Sequence, residues 1–209
     1  MKHLRAISVL ISIWVFVFQA NAFAQAAPRR VIIDTDPGTD DAMAIILALN
    51  SPEFKVEALT VVPGNVDSQQ GLENALKIVS LAGRCDVTVA RGAHHPLNQK
   101  LITAQFWHGK NGLANVELPP SKCKADPRFG PDLIIEMIHK YPHEITLIPV
   151  GPLTNIALAV SKDPSIAGLV KDIVIMAARL AAEMLMARPR RIFITTRKRH
   201  RLFSMPDGW

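Results

Sequence analysis

The segment Val31–Asp41, VIIDTDPGTDD, constrains this chain more than any other. A β-branched run, Val31–Ile33, leads straight into Asp34, Asp36, Asp40 and Asp41. Val and Ile favour a buried strand, whereas clustered carboxylates oppose burial, so the chain has to leave the sheet at this point. Pro37 and Gly38 supply a tight turn. Asp40 then stands where a helix begins, and a carboxylate there meets the free N–H groups of the first turn. Carboxylates held this close repel one another unless a cation lies among them. Hard cations such as Ca²⁺ and Mg²⁺ take oxygen ligands and relieve that repulsion. A turn with a helix cap accounts for Asp40 but leaves Asp34 and Asp36 unexplained, so the segment reads as a metal site at a strand end.

Downstream, strand-like and helix-like segments alternate. Strands are expected at Val31–Asp36, Val56–Val62, Val87–Ala90, Ile145–Val150 and Ile173–Met176. Helices are expected at Asp40–Leu49, Ser68–Ala82, Leu133–Lys140 and Leu153–Val160, with a loop-rich stretch over Gly92–Pro131. Short apolar strands between amphipathic helices predict an α/β fold, an open and mostly parallel sheet with helices on both faces. Ligands of such sheets bind beyond the carboxyl ends of the strands. The carboxylates after Ile33 and the glycines after Val62 and Val150 fall at such ends.

The chain has 209 residues, a formal charge of +6 and 49% hydrophobic residues. That is too apolar for a disordered chain and suits one domain, or a fragment of a larger one. The charge is confined. Residues 1–176 hold 16 basic and 16 acidic side chains, while 177–209 hold eight and two. A neutral body argues against a nucleic-acid partner, and no recognition motif accompanies the tail arginines; Phe193 and Phe203 are isolated. Lys2 and Arg5 precede the apolar run Ile7–Phe18, and Ala-x-Ala patterns follow between Ala20 and Ala26. This is the layout of a secretory signal peptide over residues 1–24. It predicts export, most simply to a bacterial periplasm, with no stable membrane association after cleavage. Cys85 and Cys123 can pair in such a compartment, but two cysteines do not reveal their separation.

An Asp-x-Asp at a strand end also begins haloacid-dehalogenase-like phosphatases, but the Pro-Gly turn and paired Asp40–Asp41 do not belong to that pattern. VIIDTDPGTDDAMAIILAL instead resembles the N-terminal signature of the nucleoside hydrolases, the inosine–uridine-preferring N-ribohydrolase family. LTVVPGN (Leu59–Asn65), HGKNGL (His108–Leu113) and VGPLTNIALA (Val150–Ala159) agree with it in order, from about Arg30 to Met176. The resemblance implies a nucleoside-hydrolase-like, Rossmann-like fold that hydrolyses the N-glycosidic bond of ribonucleosides with Ca²⁺. By similarity, Asp36 and Asp41 are carboxylate ligands, the Val150 carbonyl is a third ligand, and Asp36 is also the general base. Asp40 and Asn65 contact the ribose, His108 lines the base pocket, and Asp34 orients the ligands from behind. The family tends to form homo-oligomers. Gly151 and Asn155 read as packing and helix-start residues, and His94 and His95 as solvent-exposed.

The resemblance fades after Met176, where the family continues with a Gly-rich segment and an AExNIYxDPEAA-like motif. Combining the last base of each codon with the first two of the next restores that pattern. Gly is forced across Met176 and Ala177, and Ala across Met205 and Pro206. His-Asp-Pro-Glu-Ala-Ala is permitted from Ile194 to His200. The expectation is that one base is lost after the Met176 codon and that 177–209 is an out-of-frame basic tail. The domain of 28–176 would then be incomplete at its C-terminus and the chain inactive or impaired. The alternative is a non-catalytic periplasmic remnant that binds nucleoside or calcium.

Overall fold

A computed structural model describes residues 27–176 and the strand at 192–195. Six strands form one sheet: β1 (Arg29–Thr35), β2 (Phe54–Val61), β3 (Thr88–Arg91), β4 (Thr146–Pro149), β5 (Asp172–Met176) and β6 (Ile192–Thr195). Their order is β3-β2-β1-β4-β5-β6, and every pairing is parallel. The helices between them are α1 (Thr39–Asn50), α2 (Ser68–Leu81), α3 (Gln105–His108), α4 (Gly130–Lys140), α5 (Thr154–Lys162) and α6 (Ile166–Leu169). Strand order reverses between β1 and β4, which makes their carboxyl ends a topological switch point.

The period-2 alternation of β1 builds both faces of the core. Val31 and Ile33 pack with Ile45 of α1 and Ile78 of α2, whereas Ile32 points the other way, into the cluster of Leu133, Ile138 and Ile156 from α4 and α5. Helices therefore cover both faces, as the sequence pattern predicts. β2 carries an irregularity that the pattern conceals. Val31 pairs with Val56 but Ile32 pairs with Ala58, leaving Glu57 as an extra residue. This bulge reverses the facing of the residues that follow, so that Leu59 and Val61 join Val56 beneath α1 and α2. Glu57 is held by ion pairs to Arg30 and Lys55.

Local chemistry sets the helix starts. Asp67 accepts the N–H groups of Gln69 and Gln70, both at 2.9 Å, and caps α2. Pro131 sits in the first turn of α4, where a missing N–H costs nothing, so that helix starts at Gly130 rather than Leu133. The expected strands also shift by a residue or two. β1 ends at Thr35 and β4 at Pro149, which leaves Asp36 and Val150 just beyond the sheet.

The loop-rich stretch contains α3 and is tied down at several points. Cys85 and Cys123 form a disulfide with 5.1 Å between their Cα atoms. Ser121 Oγ donates to the Leu76 carbonyl at 2.9 Å, and the Lys122 N–H donates to Ser80 Oγ at 3.0 Å. Both bonds clip the loop to α2. Among the described residues no helix is long and apolar enough to cross a membrane. The expected signal peptide lies outside the described residues. So does the expected out-of-frame tail, apart from β6, which pairs its backbone alongside β5.

Candidate active site

The site forms where β1, β2 and β4 end. After Thr35 the chain turns through Pro37–Gly38 into α1, and the Gly38 N–H donates to Asp41 Oδ2 at 3.0 Å. Asp41 thus folds back towards the turn and is almost wholly buried, as are Asp34 and Asp36. Asn65, beyond β2, joins the parts. Its backbone N–H donates to Asp36 Oδ2 at 2.9 Å. Its carboxamide Nδ2 donates to the Asp36 carbonyl at 2.9 Å and to Asp41 Oδ2 at 3.0 Å. The sequence reading placed Asn65 against ribose; the structure shows that it also braces both proposed ligand carboxylates.

Asp34 has no bond to Asp36 or Asp41 through its side chain. Its Oδ1 accepts from Thr60 Oγ1 at 2.6 Å and from Asn155 Nδ2 at 2.7 Å, and its Oδ2 is buried without a partner among the described residues. Its carbonyl accepts the N–H groups of Val150 at 2.8 Å and Gly151 at 3.3 Å. Asp34 therefore sits behind the turn and holds the Val150 segment beside Asp36. Asn155 does start α5, but its carboxamide reaches the Asp34 carboxylate as well.

Burial raises all three carboxyls. Burial pushes Asp34 up to about 7, against the lowering by Thr60 and Asn155. Burial and then the neighbouring Asp41 charge push Asp36 up to about 8, against the Asn65 N–H. Burial brings Asp41 to about 6; the Gly38 N–H opposes this, while the Asp40 charge adds to it. Carboxyls raised by burial, with Asp36 raised further by Asp41, at the end of a strand mark a functional cluster.

Asp40 is exposed on the outer side of the α1 start, and His108 Nδ1 stands 3.8 Å from its Oδ1. His108 reaches over the turn from α3. The Thr39 N–H donates to His108 Nδ1 at 3.3 Å, and Thr39 Oγ1 lies 2.8 Å from the same nitrogen. An amide N–H only donates, so Nδ1 accepts, and a neutral ring carries its proton on Nε2. His94 and His95 are exposed. Asn74 on α2 is a tie that sequence reasoning missed. It is buried, and its Nδ2 donates to the Pro37 carbonyl at 3.2 Å and to the Asn111 carbonyl at 2.8 Å. It thereby links the turn to the loop that follows His108. An Asn inside an amphipathic helix gives no signal in the sequence of such a distant partner.

Among the described residues no three His, Cys, Asp or Glu side chains are grouped to hold a metal by themselves. The donors at hand are the Asp36 and Asp41 carboxylates and, by the resemblance, the Val150 carbonyl, whose segment lies against Asp36 at Gly151. All are oxygens, and the bonds to each carboxylate from described residues end on Oδ2. That leaves each Oδ1 available, and the raised carboxyls carry a repulsion that a cation would remove. The set fits part of the shell of a hard divalent ion.

Fold and site together define a Rossmann-like α/β protein with a carboxylate centre at its switch point. The chain belongs to the inosine-uridine preferring nucleoside hydrolase family, whose pattern it matches over residues 31–186. It is 46% identical over 155 residues to a probable uridine nucleosidase 2 of Arabidopsis thaliana, covering 73% of this chain and 48% of that one. It is 44% identical over 151 residues to an inosine-uridine preferring nucleoside hydrolase of Leishmania major, covering 71% and 48%. Among solved structures, a plant nucleoside hydrolase superposes with a TM-score of 0.68 at 46% identity, covering 71% of this chain and 47% of that one. A purine-preferring ribonucleoside hydrolase from Gardnerella vaginalis superposes with a TM-score of 0.69 at 38% identity, covering 72% and 49%. The chain spans about half the length of the curated relatives it matches.

Proposed function

We propose that this site belongs to a Ca²⁺-dependent hydrolysis of the N-glycosidic bond of ribonucleosides, yielding ribose and free base. The observation that carries the reading is the convergence of Asp36, Asp41 and Asn65 on one turn at the switch point. Relatives named for uridine, for inosine and uridine, and for purines support a nucleoside as the substrate. Asp36, Asp41 and the Val150 carbonyl would hold the ion. When bound, it supplies positive charge that balances the carboxylates and makes a nearby water more acidic.

The chain's own residues do the rest. Asp36, freed by that charge to ionise, takes a proton from the attacking water. Asp40, the exposed carboxylate, accepts a hydrogen bond from a ribose hydroxyl, and Asn65 contacts the same sugar while holding Asp36 in place. His108 borders the base side, fixed by Thr39. Asp34 keeps the end of β1 and the Val150 segment together.

We further propose that the chain as given is impaired. Among the described residues, two carboxylates and one carbonyl supply fewer oxygens than the six to eight such an ion takes, and water would have to supply the rest. Its N-terminal 24 residues direct export to the periplasm and are then removed. The test is ribose release from uridine and inosine by the purified chain, with Ca²⁺ or chelator, beside a full-length relative. Slow or absent release, together with Ca²⁺ and ribose binding, supports the reading of an impaired hydrolase. Release at the relative's rate contradicts the impairment, and binding of neither Ca²⁺ nor ribose contradicts the site.

A further inference from the structure

Asn155 is fully buried, and all of its carboxamide's bonds run to other segments. Nδ2 donates to Asp34 Oδ1 at 2.7 Å and to the Val61 carbonyl at 3.1 Å, and Oδ1 accepts the Ala93 N–H at 2.8 Å. One side chain at the start of α5 thus holds the ends of β1 and β2 and the chain leaving β3. Room for it depends on Gly92, where a Cβ would lie 2.1 to 2.4 Å from three atoms of the carboxamide. Thr60, paired with Asp34 in the sheet register, gives a second bond to the same Asp34 oxygen.

The connections close a ring. The Asp34 carbonyl accepts the N–H of Val150. The next residue, Gly151, lies against Asp36, since a Cβ there would stand 2.7 Å from Asp36 Oδ1. The chain then enters α5, and Asn155 returns to the Asp34 carboxylate. Asp36, two residues after Asp34, and Val150, bonded to the Asp34 carbonyl, are both attached to this ring. Loss of the Asn155 carboxamide would remove the return connection and leave Asp34 with the Thr60 hydroxyl alone.

We propose that Asn155 is a positioning residue of the site: through Asp34 it sets the separation between the Asp36 carboxylate and the Val150 carbonyl. It touches neither substrate nor ion. A side chain that merely filled the core would alter overall stability, whereas a positioning residue alters the site while the rest of the sheet stays intact. The cation arm of the test rests on the proposed function; the amide arm does not.

The experiment compares the purified full chain with Asn155→Ala and Thr60→Val. Amide hydrogen exchange is followed without metal, and Ca²⁺ alone is then titrated by calorimetry. In Asn155→Ala the Val150 and Asn65 amides should exchange at least about tenfold faster, with Ile32 and Ile33 unchanged, and Ca²⁺ affinity should fall about 10–100-fold, the size usual for residues supporting metal ligands. Thr60→Val, which keeps the side-chain shape, should give a smaller change in the same amides and secures the test if Asn155→Ala does not fold. Val150 and Asn65 exchanging as in the parent, or all amides accelerating equally, would overturn the inference, as would an unchanged Ca²⁺ affinity. Should the parent itself bind no Ca²⁺, the proposed cation site fails and the amide pattern alone decides the role of Asn155.

Discussion

A Cβ on Gly64 would stand 2.0 Å from Asp36 Oδ2, closer than any side chain can approach a carboxylate. The glycine between Pro63 and Asn65 is what allows the Asn65 N–H to reach Asp36. Gly64→Ala must therefore displace either the Asp36 side chain or the loop. Overpacking of this kind costs about 1–3 kcal/mol. The expected outcome is a lower unfolding midpoint and loss of Ca²⁺ binding by calorimetry. A variant that binds Ca²⁺ like the parent would show that the Asp36 position does not matter.

The carboxyl cluster predicts how stability follows pH. Asp34, Asp36 and Asp41 sit at about 7, 8 and 6 in the folded chain, above their ordinary value of 3.8. Between about pH 4 and pH 8 the folded state therefore binds more protons than the unfolded state, and stability falls as pH rises. Their contribution is full below pH 4 and is lost as pH passes through 6 to 8. Without metal, the melting temperature should be higher at pH 5 than at pH 8, and Ca²⁺ should restore more of it at pH 8, where protons no longer compete. A metal-free melting temperature that rises steadily towards pH 8 would contradict this account of the cluster.

Removing one charge from the cluster should stabilise the metal-free chain while weakening its hold on Ca²⁺. Asp36→Asn keeps the shape but loses a buried carboxylate that Asp41 repels. At pH 8 the metal-free variant should melt higher, by about 2–4 °C for each kcal/mol relieved, and should bind Ca²⁺ weakly. Thermal melts with and without Ca²⁺ check both halves. A variant less stable than the parent without metal would mean that Asp36 serves the fold.

The segment carrying His108 lies inside the loop closed by the Cys85–Cys123 disulfide, which spans 38 residues. Replacing both cysteines by Ser should cost about 2–4 kcal/mol and shift the urea midpoint accordingly. Nucleoside affinity should fall more than Ca²⁺ or ribose affinity, because His108 lies inside the loop whereas Asp36, Asp41, Asp40 and Asn65 lie outside it. Equal losses for ion and nucleoside would count against this division.

Much of this architecture was legible because it is local. The run Val31–Ile33, the Pro37–Gly38 turn and the carboxylates that follow fix a strand, a turn and a helix start within a dozen residues. The parallel sheet followed from the alternation of such segments. What stayed hidden depends on distant partners. The bulge at Glu57 becomes visible only when β2 is laid beside β1. The 92–131 stretch reads as a loop because its order comes from Asn74, the disulfide and clips to α2. Asn155 reads as a helix-start residue because its partner Asp34 lies 121 residues away. The roles of Asp36, Asp41 and Val150 came from family resemblance; the structure adds that the two carboxylates share Asn65 as a brace, Asp36 through the Asn65 backbone N–H and Asp41 through the Asn65 carboxamide.

The region beyond Met176 is decided by nucleotide sequence. Restoring one base after that codon should open a frame containing Asp-Pro-Glu-Ala-Ala. The restored chain should bind Ca²⁺ more tightly and release ribose faster than the present one. A frame that closes at once would leave 177–209 as the genuine continuation.

The central claim, that Asp36 and Asp41 form a divalent-cation site at the switch point, is tested most directly by calorimetric titration of Ca²⁺ into the purified chain at pH 8. Asp36→Asn and Asp41→Asn are titrated alongside. We predict saturable binding to one site in the parent and its loss in both variants. Absence of binding in the parent, or binding undiminished in either variant, would contradict the claim.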